Sequence, residues 1–182
     1  MKFRAEVKLE IKLKDKKLKI GILGGSFDPA HKGHLAISKE AITRFKLKKV
    51  IWAITKKNPF KKKSISKLSI RINFCKKIIG KIKFIKVQFY EDKIKSNKTI
   101  DLINYLTRNE KNDIYFIMGA DNLIHFHKWH KWKAISKKCK IIVFDRHGYK
   151  KKSLNSATFK RLNNKNLKFI EFNKVNISSS QL

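Results

Sequence analysis

Six short apolar runs recur along the chain, and a stretch with helical periodicity separates each run from the next. The runs lie near residues 18–24, 49–54, 82–89, 113–118, 139–144 and 167–172. Between them apolar residues repeat every four positions, and two such faces are formed by Ile37, Ala41 and Phe45 and by Ile70, Phe74 and Ile78. Strands that alternate with helices usually pair in parallel. We therefore predict an α/β, doubly wound, mostly parallel sheet with helices on both faces and ligands at the carboxyl ends of its strands.

The first residues fall outside this alternation. Val7, Leu9, Ile11 and Leu13 alternate with charged residues, as in a strand with one solvated face. We interpret residues 1–17 as an extra N-terminal segment, either an edge strand or translation from a start codon placed too early. Residues 18–182 are expected to form one domain, because 182 residues of which 42% are hydrophobic are enough to bury one core.

Lysine dominates the charge of the chain. Lys and Arg total 46 against 13 Asp and Glu, giving a net charge of +33, and the lysines are spread along the whole sequence. Base readout favours arginine, of which there are few. We interpret the lysines as a solvated surface that attracts small phosphorylated ligands, and we expect no specific nucleic-acid partner.

The cysteines and the length of the apolar runs indicate where in the cell the protein is found. Cys75 and Cys139 lie far apart with no metal-like spacing around them, so we expect neither a disulfide nor a zinc site. No apolar run reaches the roughly 18 to 20 residues that cross a bilayer. We expect a cytoplasmic protein with no membrane partner, and the sequence leaves the oligomeric state open.

A glycine pair follows the first apolar run. Because Gly24 and Gly25 lack Cβ, they permit unusual backbone dihedrals and the close approach of a phosphate or ribose, although an ordinary tight turn has the same pattern. Asp28 and Pro29 suit a helix start, with the aspartate as cap and the proline preset for the turn.

Two histidines occupy the start of the helix that follows. His31 and His34 are three positions apart, so they project from one face at the positive end of the helix. Imidazoles in that position can donate hydrogen bonds to phosphate oxygens and stabilise the charge that develops on a transferring phosphorus. The pair, with Gly33 between its members, predicts a polyphosphate site.

The string from Gly24 to His34, GGSFDPAHKGH, resembles the signature of the nucleotidyltransferases whose HxGH motif binds ATP. Within them it is most similar to bacterial nicotinate-nucleotide adenylyltransferases, because the related phosphopantetheine enzymes usually have threonine where His31 stands. The resemblance implies a Rossmann-like fold, with His31 and His34 as catalytic residues, and it covers about residues 18 to 182.

Later segments match weaker motifs of the same family. Lys61 lies in a segment like the family's loop after the second strand, where a basic residue can reach a substrate phosphate, although a solvated lysine fits equally. Thr99 matches a segment beside the nicotinate ring, and Trp129 matches a tryptophan that stacks on it. Lys61, Thr99 and Trp129 are therefore the expected substrate-binding residues. Phe126 and Trp132 are expected in the core, and His125, His127 and His130 at the surface.

The resemblance extends to the adenylate half. Gly119 and Asp121 match a Gly-x-Asp loop after an apolar strand, where the carboxylate could accept from ribose hydroxyls or cap a helix. Arg146 follows the fifth run, as an arginine does in the family. The last residues match the family's second signature, but the chain ends before its arginine and final helix. The expected ATP-binding residues are Gly24, Gly25, Ser26, Phe27, His31, His34, Gly119, Asp121, Ile177, Ser178, Ser179 and Ser180.

The reaction that the resemblance implies is transfer of AMP from ATP to nicotinate mononucleotide, forming deamido-NAD and pyrophosphate, with Mg²⁺ carried in on the ATP and no metal site of the protein's own. Two alternatives remain open. The acceptor could be nicotinamide mononucleotide, or the chain could be an inactive, shortened protein that binds nucleotides or nucleic acid.

Overall fold

The sheet is wholly parallel. A computed structural model describes residues 17–56, 66–108, 112–162 and 166–171. Six strands in this part form one sheet in the order β3-β2-β1-β4-β5-β6, and every neighbouring pair is parallel. Each predicted apolar run forms one strand, so the α/β, Rossmann-like prediction is confirmed. The strands are β1 (Leu18–Gly25), β2 (Lys49–Ile54), β3 (Ile85–Phe89), β4 (Asn112–Gly119), β5 (Lys140–Phe144) and β6 (Leu167–Ile170).

Helices connect the strands and cover both faces of the sheet. Ile114 and Phe116 of β4 belong to one core cluster, whereas Tyr115 and Ile117 belong to the other, because successive strand side chains point to opposite faces. The helices are α1 (Lys32–Phe45), α2 (Leu68–Ile79), α3 (Glu91–Ile94), α4 (Thr99–Thr107), α5 (Ala120–His125), α6 (Trp132–Lys138), α7 (Lys150–Leu154) and α8 (Ala157–Leu162), with a 3₁₀ turn at Phe126–Lys128.

The strand order reverses between β1 and β4. From β1 the chain proceeds to β2 and β3 on one side, and β4 begins the series on the other side. The connections that leave the carboxyl ends of β1 and β4 therefore diverge and open a crevice between them, which is where ligands bind in sheets of this kind. Gly25 and Gly119 are the last residues of these two strands.

Gly21 allows close packing beneath this crevice. A Cβ added to Gly21 would lie 2.8 Å from Cγ2 of Val50, 2.9 Å from Cδ1 of Leu47 and 3.0 Å from Cδ1 of Ile117. Two of these distances are below 3.0 Å, so any larger residue at this place in the strand would displace the side chains of Val50 and Leu47.

The apolar face predicted for α2 is not its buried face. Ile70 and Phe74 are 57% and 40% exposed, whereas Arg71, Cys75 and Ile79 are buried. The helix is rotated by one residue relative to its apolar pattern. Arg71, on the buried face, forms hydrogen bonds with backbone carbonyls that follow β1 and β2.

Several predictions lie outside the described residues. They are the strand pattern in residues 7–13, most of the lysine-rich loop at 56–67 and most of the turn at 163–166. Cys75 and Cys139 are both buried and free, and burial raises the pKa of each thiol to about 12. Within the ranges given above, no helix is both long enough and apolar enough to span a membrane.

Candidate active site

His31 caps α1. Its backbone is extended, with φ −147° and ψ 170°, and its Nδ1 accepts a hydrogen bond from the backbone N–H of Gly33 at 3.1 Å. The prediction that Asp28 caps this helix is wrong: an Asp28 carboxylate oxygen accepts from the backbone N–H of Ser66 at 3.2 Å, and the helix begins at Lys32.

His34 completes a reciprocal capping box. Its Nδ1 accepts from the backbone N–H of His31 at 3.2 Å, and the two ring centroids are 3.9 Å apart. A spacing of three residues is what a capping box requires, since N-cap and N3 are three positions apart. Because both Nδ1 atoms accept, the proton of each neutral ring is on Nε2. Both imidazoles are therefore oriented as Nε2–H donors.

The site keeps both rings neutral. Desolvation by burial, the adjacent His31 imidazole and the charge of Arg146 lower the pKa of His34 to about 3. Burial and the charge of Arg146 also lower the pKa of His31. In the absence of a bound anion, both histidines are uncharged donors at neutral pH.

The unusual backbone dihedral falls after the glycine pair. Phe27 has φ 49°, whereas Gly24 and Gly25 lie within β1 and have no positive φ. Of the two reasons predicted for these glycines, a positive φ is therefore wrong, and the close approach of a ligand stays a prediction. A Cβ added to Gly24 or Gly25 would make ordinary van der Waals contact with the ring of Phe116 at 3.4 Å or Phe27 at 3.6 Å, and both glycines line a cavity.

The ring of Phe27 packs against the ring of His34. It is 2% exposed, stacks on Trp52 at 5.0 Å between centroids and lies 4.9 Å from the ring of His34. Trp52 in turn donates from Nε1 to Ser38 Oγ of α1 at 2.8 Å. The turn, the second strand and the histidine helix are thus packed into one unit.

Arg146 and Asp121 face the histidines from the other half of the sheet. Asp121 lies in α5, directly after β4, and Arg146 follows β5. The guanidinium Nη1 donates to an Asp121 carboxylate oxygen at 2.7 Å, and both side chains are partly exposed. The prediction that Asp121 receives ribose hydroxyls is not tested by this pairing.

Two cavities meet at these four side chains. The larger has a volume of about 800 Å³ and the smaller about 500 Å³. The predicted residues Ser26, Phe27, Thr99 and Trp129 line the larger cavity, and Gly119 lines the smaller. Both cavities share a wall formed by Gly24, His31, His34, Asp121, Asn122 and Arg146.

Thr99 and Trp129 line the larger cavity and do not line the smaller one. Thr99 is the first residue of α4, and the preceding Lys98 makes no side-chain cap, which leaves backbone N–H groups of the first turn available to a ligand. Trp129 follows the 3₁₀ turn and makes edge contacts with Phe116 and Phe126 at 5.9 and 5.3 Å.

Comparisons with known proteins identify the family of this chain. The cytidylyltransferase-like family model matches residues 22–182. A probable nicotinate-nucleotide adenylyltransferase of Pelagibacter ubique is 66% identical over 97% of this chain and 98% of its own length. A second, from Nitratiruptor, is 38% identical over 73% of this chain and 76% of its own length. The chain belongs to the nicotinate-nucleotide adenylyltransferase family.

A solved structure supports the fold of this adenylyltransferase. Plasmodium falciparum nicotinic acid mononucleotide adenylyltransferase, complexed with NaAD, superposes with a TM-score of 0.73 at 21% identity, covering 90% of this chain and 82% of the other. This likeness confirms the fold, and the relatives named above confirm the family predicted from the GGSFDPAHKGH string.

Some predicted site residues of the adenylyltransferase lie outside the described part of the chain. They are Lys61 and the segment Ile177, Ser178, Ser179 and Ser180. Among the described residues no group of three or more His, Cys, Asp or Glu side chains has an arrangement that could hold a metal ion.

The sequence interpretation missed two arginines. The sequence indicates Arg146 only as support for the resemblance, yet Arg146 forms part of the wall between the cavities. Arg71 had no assigned role, and it is buried beside the glycine turn. Position after the carboxyl end of a strand could have indicated Arg146. No sequence signal distinguishes Arg71 from the other charged residues of α2.

Proposed function

We propose that this adenylyltransferase transfers AMP from ATP to nicotinate mononucleotide, forming deamido-NAD and pyrophosphate. One observation carries the proposal: two cavities of unequal size meet at a shared wall that contains His31, His34 and Arg146. A reaction that joins two nucleotides needs two binding spaces whose contents come together at a phosphate. Family membership supports the same reaction.

The two substrates are assigned to the two cavities by their lining. Thr99 and Trp129 make the larger cavity the site of the nicotinate ring, since α4 offers N–H groups to a carboxylate and an indole offers a flat surface to a flat heterocycle. The smaller cavity, with Gly119 and Asp121 at the end of β4, receives the adenosine. The expected serines 178–180 would bind the outer phosphates of ATP.

The chemistry is a direct displacement. A phosphate oxygen of nicotinate mononucleotide attacks the α-phosphorus of ATP, the new P–O bond forms, and the bond to the β-phosphate oxygen breaks to release pyrophosphate. Negative charge builds up on the phosphate oxygens as this occurs. The Nε2–H groups of His31 and His34 and the guanidinium of Arg146 donate to those oxygens and stabilise them.

Magnesium enters this scheme as part of the substrate, MgATP. The groups around the shared wall are fixed donors: two imidazoles whose Nδ1 atoms are occupied and one guanidinium. The carboxylate of Asp121 is engaged by Arg146 at 2.7 Å. Such a set suits the phosphates of MgATP better than a separate metal ion.

The direct test is an assay of the purified protein with MgATP and each mononucleotide. We expect pyrophosphate release and a product with the mass of deamido-NAD, with a higher kcat/KM for the nicotinate than for the nicotinamide acceptor. Equal or greater efficiency with the nicotinamide acceptor would replace the proposed substrate. No pyrophosphate with either acceptor, together with salt-sensitive binding of RNA or DNA, would favour the nucleic-acid alternative that the net charge of +33 suggests.

A further inference from the structure

Arg71 carries a buried charge that is held entirely by backbone carbonyl groups. It is 3% exposed, and within the described residues it forms no ion pair with a carboxylate. Its Nη1 donates to the carbonyls of Ser26 at 2.6 Å and Thr55 at 2.8 Å, its Nη2 to Lys56 at 2.9 Å and its Nε to Ser66 at 3.1 Å. These bonds use nearly all the N–H groups of a guanidinium.

Arg71 lies on the buried face of α2, where Cys75 and Ile79 are buried beside it, whereas Ile70 and Phe74 are exposed. Burying a guanidinium is costly. The Glu91 carboxyl is close enough for the charge of Arg71 to oppose the rise in pKa that burial causes there. An arrangement of this kind indicates that the guanidinium performs a task that an apolar side chain on the same face does not.

Three of the four carbonyls, those of Ser26, Thr55 and Lys56, lie just beyond the ends of two neighbouring strands, and the fourth, that of Ser66, precedes α2. β1 ends at Gly25 and β2 at Ile54, and one further backbone bond, from Thr55 N–H to Gly25 C=O at 3.0 Å, continues their pairing. Past this point the strands diverge and their carbonyls lose strand partners. Arg71 donates to them instead and connects the glycine turn, the end of β2 and the segment before α2.

The turn that Arg71 holds is in contact with the catalytic pair. The Ser26 carbonyl precedes Phe27, which has φ 49° and whose ring lies 4.9 Å from that of His34. Asp28, the next residue, accepts from the backbone N–H of Ser66, whose carbonyl is itself bonded to Arg71. A shift of the guanidinium therefore moves Phe27, and Phe27 packs against His34.

We propose that Arg71 is a positioning residue for adenylyl transfer: its guanidinium holds the turn of residues 25–28 in the one arrangement that places the Nε2–H group of His34 against the reacting phosphates. The proposal rests on the proposed function. Arg71 touches no substrate. It acts through the backbone of Ser26 and the ring of Phe27.

The main test is Arg71→Lys, with Cys75→Ala as the matched control. Lysine keeps the charge but has one donor atom, which cannot reach four carbonyls. Cys75 is buried one turn further along the same face of α2, so its substitution disturbs the packing of the helix and leaves the carbonyl bonds intact. We expect Arg71→Lys to lower kcat at least about tenfold with KM values changed much less, as misplacement of a catalytic group does.

Unfolding by urea places the two variants on one stability scale. The proposal predicts that Cys75→Ala keeps the wild-type kcat even where it loses as much stability as Arg71→Lys. An equal fall in kcat at an equal loss of stability would show that Arg71 only supports the fold and would overturn the proposal. So would a wild-type kcat in Arg71→Lys.

A second readout does not depend on turnover. Nitrogen-15 NMR of the imidazoles distinguishes Nδ1–H from Nε2–H rings, and we expect the His34 signal to shift or broaden in Arg71→Lys while that of the exposed His127 stays in place. If the wild-type protein makes no deamido-NAD, the proposed reaction fails, but this measurement still decides the positioning role. Unchanged His34 signals would refute that role even if the reaction were confirmed.

Phe27→Leu covers the case in which Arg71→Lys does not fold. This variant keeps every bond of Arg71 and removes the ring contact through which the turn reaches His34. A lowered kcat and a shifted His34 signal are expected. If both stay at their wild-type values, the route from Arg71 to the histidine does not exist and the proposal is wrong.

Discussion

Five of the six histidines of this protein fall into two groups along the chain, and the smaller group has the more specific geometry. His31 and His34 are partly buried, and the Nδ1 atom of each accepts a backbone N–H. His125, His127 and His130 occur within one short segment and are all exposed. The difference teaches that hydrogen bonds from the backbone, and not the density of histidines, prepare an imidazole for phosphate chemistry.

The helix ends explain the contrast. The start of a helix has N–H groups without partners, and a neutral imidazole can accept from them. His125 lies at the end of α5, where the groups without partners are carbonyls, which do not donate to Nδ1. The same side chain is therefore fixed in one tautomer at the start of α1 and is left unfixed after α5.

The largest expected effect is on turnover in His34→Ala. We expect kcat to fall by about two orders of magnitude or more, which is the scale on which loss of one donor to a developing oxyanion acts. Pyrophosphate release under saturating MgATP and nicotinate mononucleotide measures it. His127→Ala is the matched control from the exposed group. An equal fall in kcat in both variants, or no fall in His34→Ala, would contradict the distinction between the capped and the exposed histidines.

Two further substitutions separate capping from phosphate binding at this position. In His34→Asn the side-chain oxygen can replace Nδ1 as the acceptor for His31 N–H, and the Nε2–H donor is lost. In His34→Gln the side-chain oxygen can accept from the same N–H, as an N3 glutamine does in a capping box, and the amide can donate near the Nε2 position. We expect the asparagine variant to be stable and nearly inactive. The glutamine variant should be similarly stable and retain more turnover.

The acceptor end of the larger cavity should respond differently. Trp129→Leu removes the aromatic surface, and base–aromatic stacking contributes roughly 1–3 kcal/mol, so we expect the KM for nicotinate mononucleotide to rise about tenfold with kcat little changed. Trp132→Leu is the control, because Trp132 packs against Phe126 and lies outside both cavity linings. An unchanged KM in Trp129→Leu would remove the stacking role.

Much of the fold follows from sequence periodicity. The six apolar runs became the six strands because buried parallel strands are apolar on both faces and stand out from the helices between them. The face of α2 was not predictable in the same way. The spacing of Ile70, Phe74 and Ile78 favours their burial, but Ile70 and Phe74 are exposed, and Arg71, whose hydrogen bonds reach distant carbonyls, is buried instead.

The site was predictable where its residues are local and not where they are distant. His31 and His34 were identified because a spacing of three at a helix start has a physical meaning by itself. The pairing of Arg146 with Asp121 joins residues 25 positions apart in the chain, and only the neighbouring positions of β4 and β5 bring them together. The expectation that Asp28 caps α1 failed because Ser66 N–H takes its carboxylate.

The neutral state of His34 predicts a pH dependence of stability. The folded state lowers the pKa of His34 from 6.5 to about 3, so below pH 6.5 the unfolded chain binds a proton that the folded protein does not. Stability then falls with falling pH, by at most about 1.4 kcal/mol per unit, until the folded pKa is reached. His31 acts in the same direction. Above pH 6.5 neither histidine makes the free energy of unfolding depend on pH.

Urea unfolding of the wild type and His34→Asn at pH 7.5, 6.5 and 5.5 measures how much His34 contributes to the pH dependence of stability. The variant cannot titrate at this position, and we expect the wild type to lose about 1 kcal/mol more than the variant between pH 6.5 and 5.5. Parallel curves would mean that His34 accepts a proton in the folded protein near its ordinary pKa. The electrostatic difference between the two histidine groups would then disappear.

The smallest expected effect belongs to the exposed group. A double variant, His125→Ala with His127→Ala, should keep kcat and both KM values within about twofold and stability within about 0.5 kcal/mol, as surface substitutions usually do. Both side chains are exposed and neither lines a cavity. A clear loss of turnover would require these histidines to reach a substrate that the present geometry holds away from them. The contrast with His31 and His34 would then reflect a rearrangement on binding and not the capping of α1.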